Sequence, residues 1–245
     1  MLRPDFTLSV IEHHLTSGAG EARYTYAGKV FRQQPDQTAR PSEYLQVGYE
    51  VVGTPEPALA DAEVFQTFHA LLTPHGLSPV TGDIGLLIGA VKGLQTTEVR
   101  KAALLRHLWR PRRFRALLER FRGRAQAPEP AGLDAAPEIG LRTRAEVTAQ
   151  MAVLTEDASA PPLSDTEAEL LDALLLLKGR AGGILPQLND IAVDLSGMAP
   201  AITNMAARLE ALDKAGIDAG GLLFEASYGR TSLEYYDGFL SLIHI

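Results

Sequence analysis

Gln46 and Glu50 stand four residues apart around Gly48 in the run EYLQVGYEVVG, Glu43 to Gly53. On a strand, alternate residues share a face, so an amide and a carboxylate project together with an empty position between them. Leu45, Val47, Tyr49 and Val51 fall on the opposite face, which reads as core. Arg32 closes the preceding apolar run, RYTYAGKVFR, and can bring a guanidinium to the same sheet. Near the start, RPDFT offers Asp5 and Thr7 two apart, hence on one face if extended. Near the end, Glu234, Tyr236 and Gly238 share a face of SLEYYDGF. Asp5 and Glu50 can accept from an ammonium or an imidazole N–H, Gln46 can donate and accept, and Arg32 can grip a carboxylate in a two-pronged fork. This donor and acceptor set suits a zwitterionic ligand. Hydrogen bonds to charged groups contribute roughly 1.5 to 3 kcal/mol each, so three or four support micromolar binding after the cost of association. A solvated outer face of a half-buried antiparallel sheet would show the same alternation.

The elements that must position these groups follow from periodicity and punctuation. Residues 23–32 and 44–52 read as two strands of a hairpin, joined by a polar loop containing Pro35, Asp36 and Pro41. In LADAEVFQTFHALLTPHG, Val64, Phe68 and Leu71 recur at helical spacing, and Pro74 and Gly76 supply a stop. TGDIGLLIGAV, 81–91, reads as a buried strand. SDTEAELLDALLLLKGRAGG opens on a capping pattern, Ser164 followed by Glu167. ITNMAARLEALDKAG places Met205, Leu209 and Leu212 on one stripe and closes at Gly216. LLFEASYG and SLEYYDGF are further strands, and APEPAGLDAAPE, 127–138, is a linker by composition. Strands at both ends with helices between them, and hairpins instead of repeated strand-helix units, predict an α+β fold with an antiparallel sheet. The expected organisation is a core segment at 1–93, a mostly helical insertion at 94–185, and a return to the core at 186–239. LSLIHI, 240–245, resembles the translation of a sequencing-library adaptor and is set aside.

With 245 residues, 46% hydrophobic and 22% charged, the chain can bury a sizeable core. It has no cysteine, which excludes disulfides, thiolate metal sites and cysteine nucleophiles and argues against redox chemistry. The net charge of -7 disfavours non-specific nucleic-acid binding by the whole chain. No apolar run reaches membrane-spanning length and no signal peptide is evident, so a cytoplasmic location without a membrane partner is expected. The six histidines lack metal-ligand spacing, and no glycine-rich phosphate loop or nucleophile elbow is present. No metal and no cofactor is expected.

The residues that could do chemistry also carry a resemblance. RYTYAGKVFRQQPDQTARPSEYLQVGYEVVG resembles motif 2 of class II aminoacyl-tRNA synthetases in its histidyl version, an FRxE-type strand paired with a QxGxE strand. LRPDFT resembles the family's LRPE-x-T element, and LEYYDGF its LDYYTG signature. The three occur in the family's order at the two ends of the chain, while the middle matches loosely. The resemblance implies a class II synthetase-like fold, lacking motif 1 and motif 3 at its two ends, and a pocket for free histidine. At matching positions, Asp5 stands where a glutamate contacts the ligand amine, with Thr7 beside it. Gln46 and Glu50 match the residues that read histidine, Tyr236 the tyrosine near the imidazole, and Arg32 the arginine facing the carboxylate.

Two kinds of protein share this pattern: histidyl-tRNA synthetases, and their catalytically silent paralogues, the regulatory subunits of ATP phosphoribosyltransferase. The synthetase places an arginine and a glycine before LDYY, where this chain has Thr231 and Ser232. The FRxE glutamate is Gln34, and the arginine-rich ATP loop is reduced to Arg40 beside Pro41. Losing one preorganised donor at a developing charge costs a factor of about 100 to 1,000, so several losses leave negligible adenylation. The resemblance therefore implies a regulatory subunit with no catalytic residues of its own. It would pair with the short catalytic subunit in the first step of L-histidine biosynthesis, convey histidine feedback, and self-associate as a dimer. A histidyl-tRNA synthetase is the alternative, and a tRNA-binding or interaction protein a second. The basic run RKAALLRHLWRPRRFRALLERFRGR, 100–124, with Trp109 and Phe114 interleaved, could meet nucleic acid. A solvated helical face, or one that meets an acidic partner subunit, is the preferred reading.

Overall fold

The computed structural model describes residues 2–33, 41–125, 140–230 and 236–244. The chain divides into two compact units, residues 1–77 with 207–217, and residues 78–206 with 218–245.

The first unit is built on a two-stranded antiparallel ribbon, β1 (Ala22–Phe31) and β2 (Glu43–Val52), with Tyr24 opposite Glu50, Tyr26 opposite Gly48 and Gly28 opposite Gln46. Directly opposed residues point to the same side, so these six positions share one face, four with side chains and two with glycine. Helix α1 (Thr7–Ser17) lies on that face and ends at Gly18, whose φ of 64° is the left-handed stop that favours glycine. Residues 2–6 are not a strand. They run along the ribbon edge, held by the Phe31 N–H donating to the Arg3 carbonyl at 2.9 Å, and Thr7 is the first residue of a helix. Asp5 and Thr7 therefore do not share a strand face.

The expected core face of β2 is corrected as well. Leu45 and Val47 are 68% and 65% exposed, whereas Gly48 is buried and Gln46 and Glu50 are half-buried. Alternation separates two faces, but what covers either is decided by elements distant in sequence. Helix α2 (Pro57–Leu72), started by Pro57, meets the ribbon where Glu63 accepts from Arg23 Nε at 2.7 Å and from the Tyr49 hydroxyl. Its stop is a short 3-10 turn ending at Gly76, as the punctuation predicted.

The second unit contains a four-stranded sheet in the order β4-β5-β3-β6, from β3 (Ser78–Asp83), β4 (Lys178–Arg180), β5 (Leu223–Glu225) and β6 (Phe239–His244). The pair β3–β5 is parallel, while β3–β6 and β4–β5 are antiparallel. Chain order and helix content agree with α+β. The run 81–91 is not one strand: only its first three residues belong to β3, and Ile84–Gly93 is helix α3. The Asp83 carboxylate accepts from the Gly85 N–H at 2.9 Å and caps that helix. Gly89 explains why an apolar, glycine-bearing run is helical here. A Cβ at Gly89 would sit 2.5 Å from the Gly197 carbonyl oxygen, so α3 packs backbone to backbone against the 3-10 turn Ser196–Met198. Ile84, Leu86, Leu87, Ala90 and Val91 are buried there.

Helices α4 (Glu98–Arg106), α5 (Pro111–Phe121), α6 (Arg144–Ala158), α7 (Asp165–Leu176) and α8 (Ala181–Ala192) follow, then α9 (Ala199–Lys214), whose last half belongs to the first unit. Ser164 caps α7 as its sequence pattern predicted, and α9 is followed by Gly216 at φ 81°. Within the first unit Arg208, 3% exposed at its side chain, pairs with Asp61 at 2.7 Å. The linker at 127–138 lies outside the described residues.

Candidate functional site

Five of the six expected ligand residues belong to the first unit: Thr7, Gln46 and Glu50 lie at the covered face of the ribbon, Arg32 is exposed just past the end of β1, and Asp5 lies in the segment along the ribbon edge. The Thr7 hydroxyl donates to Glu50 Oε1 at 3.0 Å, tying the first turn of α1 to the centre of β2. Gln46 Nε2 donates to the Tyr26 hydroxyl at 3.4 Å, while Gln46 Oε1 is buried and has no partner among the described residues. A buried amide oxygen without a donor costs about 1 to 3 kcal/mol, a deficit that a ligand N–H would remove. Arg32 Nε donates to the Pro4 carbonyl at 2.9 Å, and its guanidinium lies 5.7 Å from the Tyr44 ring centroid. Asp5 is half-buried between Pro4, which Arg32 grips, and Phe6, which stacks on Tyr26 with centroids 4.6 Å apart. Tyr236, 47% exposed and just before β6, belongs to the second unit. Gln34, Arg40, Thr231, Ser232 and Glu234 lie outside the described residues.

Gly48 is not open space. A Cβ built there would stand 2.1 Å from Tyr26 Cζ, so the phenol ring lies directly over the missing side chain. Gly28 plays the same part for Phe6, whose Cζ would be 2.6 Å from a Cβ. Two aromatic rings thus stack over two glycines, and Tyr26 presents its hydroxyl to Gln46. Phe6 and Tyr26 are the site residues that the periodicity argument missed. For Tyr26 the available signal is its pairing with Gly48, a large side chain against an absent one, which the hairpin register exposes; Phe6 lies outside the hairpin and has no such signal. Deeper along this face the buried His14 places Nδ1 3.1 Å from the Tyr24 hydroxyl. On the far face, the Arg23 fork and then the Tyr49 hydroxyl hold the Glu63 carboxyl down to about 2.

The basic run 100–124 forms α4 and α5 in the second unit. Its interleaved aromatics are packing residues: Phe114 is 1% exposed and Trp109 is half-buried. Arg100 is buried, its Nε donating to Asp157 Oδ2 at 3.1 Å and its other nitrogens to the carbonyls of Asp157, Ala160 and Pro161.

A family model described as histidyl-tRNA synthetase matches residues 1–240. A relative from Brucella anthropi named ATP phosphoribosyltransferase regulatory subunit is 30% identical, over 97% of this chain and 69% of its own length. The chain belongs to the histidyl-tRNA synthetase family, among its ATP phosphoribosyltransferase regulatory subunits. A relative of the same name from Brucella canis is 28% identical over the same shares. Among solved structures, one described as an ATP phosphoribosyltransferase regulatory subunit/histidyl-tRNA synthetase from Bacillus halodurans has a TM-score of 0.65 at 20% identity, covering 99% of this chain and 53% of that one. A histidyl-tRNA synthetase from Nostoc has a TM-score of 0.61 at 12% identity, covering 98% and 48%. At these identities the likeness is one of fold, and it supports the class II synthetase-like architecture. The chain spans about half the length of these solved chains. Among the described residues, no helix is long and apolar enough to cross a membrane.

Proposed function

We propose that this member of the regulatory-subunit group binds free histidine on the covered face of the β1–β2 ribbon, and has no catalysis of its own. It would act on a short-form catalytic ATP phosphoribosyltransferase subunit in a cytoplasmic hetero-oligomer, itself self-associating as a dimer. The observation that carries the ligand reading is Gln46 Oε1, buried and without a partner among the described residues, on the same strand face as the Glu50 carboxylate that the Thr7 hydroxyl holds in place. Glu50 and Gln46 are the acceptors for an imidazole N–H or an ammonium. Asp5 is a further acceptor in the adjoining segment, and Thr7 orients Glu50. Arg32 is the group of right charge for the ligand carboxylate, and Tyr236 matches the family's tyrosine near the imidazole by sequence. Asp5 in place of the family's glutamate shortens that reach by one methylene.

Histidine transmits feedback only if it binds one assembly state better than another, because a ligand shifts an equilibrium by its differential affinity and nothing else. Absence of catalysis is supported by Thr231 and Ser232, where the synthetase pattern has an arginine and a glycine, and by Gln34 in place of the motif 2 glutamate. Reconstitution tests the reading. Mixing the chain, within its full-length parent, with the short catalytic subunit should restore phosphoribosyl transfer that millimolar histidine suppresses. Histidine-dependent exchange of pyrophosphate into ATP by the chain alone would instead establish the synthetase reading.

A further inference from the structure

The corner between α4 and α5 carries positive charge that no carboxylate among the described residues answers. Arg106 ends α4, Arg110 precedes α5, and Arg112, Arg113 and Arg115 lie on its first turn and a half. All five are exposed. The ion pairs of this stretch belong to its other basic residues: Arg100 pairs with Asp157, Lys101 with Glu98, and Arg122 and Arg124 with Asp165. Among the described residues none of the five has a carboxylate partner. Helix α5 also starts without a side-chain cap, has Pro111 at its first position, and has no acidic residue in its first turn. Arginines at the positive end of a helix dipole repel both the helix and one another, so this arrangement works against folding when the corner is empty.

A second observation comes from beneath the surface. Arg230 is 6% exposed, donates from Nε to the Leu108 carbonyl at 2.8 Å, and lies 4.9 Å over the Phe114 ring. Among the described residues its Nη2 is buried without a partner, as is His107 Nδ1 on the α4 side of the corner. Burial, and then the nearby charge of Arg115, hold the Arg230 guanidinium down to about 10. Burial and Arg110, Arg113 and Arg106 lower the His107 ring as well. A buried charge left uncompensated is strongly destabilising. Five unpaired surface arginines, an uncapped helix start and a buried guanidinium with a free N–H share one remedy, an anion.

We propose that the α4–α5 corner binds a compact, multiply charged phosphate ligand. Arg110, Arg112 and Arg113 would grip its oxygens, the first backbone N–H groups of α5 would donate to it, and Arg230 would supply the buried charge. Guanidinium forks and helix N-termini both match phosphoryl oxygens. Compactness follows from the rest of the chain: its net charge is -7, so an extended polyanion such as RNA meets repulsion on leaving the corner. Of the two aromatics at the corner, Phe114 is buried and cannot stack on a base, and Trp109 is half-buried, so no fully open ring is offered for stacking.

Inorganic tripolyphosphate is the probe, titrated at low ionic strength and followed by calorimetry and by the thermal midpoint. One saturable site that raises the midpoint and weakens steeply with salt is expected. The exposed double substitution Arg112→Glu/Arg113→Glu should weaken binding at least tenfold. Arg230→Met should abolish the anion-induced rise, and if it does not fold the exposed pair decides. Glu50→Ala should leave tripolyphosphate binding unchanged, which separates this site from the histidine pocket. No saturable binding, or binding indifferent to the double substitution, overturns the proposal. Equal affinity for poly-glutamate overturns it in favour of an acidic protein surface, and tight RNA binding that tripolyphosphate cannot displace overturns it in favour of nucleic acid.

Discussion

Alanine at Gly48 tests the packed site at its tightest point. A methyl group there would stand 2.1, 2.2 and 2.5 Å from Tyr26 Cζ, Oη and Cε2. In an open strand, glycine to alanine stabilises by roughly 0.5 to 1 kcal/mol through backbone entropy. Here the methyl must push the phenol aside, and overpacking of this kind costs typically 1 to 3 kcal/mol. The displaced ring also gives up its stack on Phe6, at 4.6 Å between centroids, a contact of about 0.5 to 1.5 kcal/mol. The steric cost and the lost stack outweigh the entropic gain, leaving Gly48→Ala destabilised by about 1 to 3 kcal/mol. For a chain of this size that lowers the midpoint by about 2 to 4 °C per kcal/mol. Scanning calorimetry reads the midpoint, and adding Tyr26→Ala supplies the control. With the ring gone the methyl has room, so the double substitution should cost less than the sum of the singles. Displacing Tyr26 also frees the Gln46 amide, so histidine affinity should fall in Gly48→Ala. A midpoint unchanged or raised in the single variant, with histidine affinity intact, would refute the stacked arrangement over Gly48.

Other outcomes follow from the same physical reasoning. Asp157→Ala removes the carboxylate that pairs with Arg100, whose side chain is 5% exposed, and leaves a buried guanidinium without its counter-charge. A loss of about 3 to 5 kcal/mol in denaturant unfolding is expected. Glu63 is ordinarily near 4.5 and is lowered to about 2, chiefly by the Arg23 hydrogen bond and then by Tyr49. Because its folded value is depressed, its contribution is present above pH 4.5 and is lost as pH falls toward 2. Glu63→Gln should therefore flatten the acid limb of the stability curve in that window, measured by unfolding at a series of pH values. Leu45→Gln and Val47→Gln, on the exposed face of β2, should each change stability by no more than about 0.5 kcal/mol.

Local signals in the sequence located elements well wherever a residue type forces a conformation. Gly76 and Gly216 stop their helices, Ser164 caps α7, and the hairpin strands begin and end within a residue of the apolar alternation. The failures occur where a distant partner decides. The run Ile84–Gly93 looks like a buried strand because it is continuously apolar, yet Asp83 caps it as a helix and Gly197 accepts its glycines backbone to backbone. How β2 is covered depends on α1 and residues 2–6, so Leu45 and Val47 stand exposed although their alternation predicts core. Gln46, Glu50, Arg32 and Thr7 were legible as candidate ligand residues because their chemical types and strand spacing, together with the family pattern, are local properties. Phe6, Tyr26 and Arg230 were not, since their roles come from stacking, register and burial across the fold.

Calorimetric titration of L-histidine into the chain, alongside the Glu50→Ala variant, bears most directly on the central claim. Saturable binding in the micromolar range, weakened at least tenfold by removal of the Glu50 carboxylate while tripolyphosphate binding is unchanged, is the predicted result. No heat of binding at millimolar histidine, or identical affinity in the variant, would contradict it.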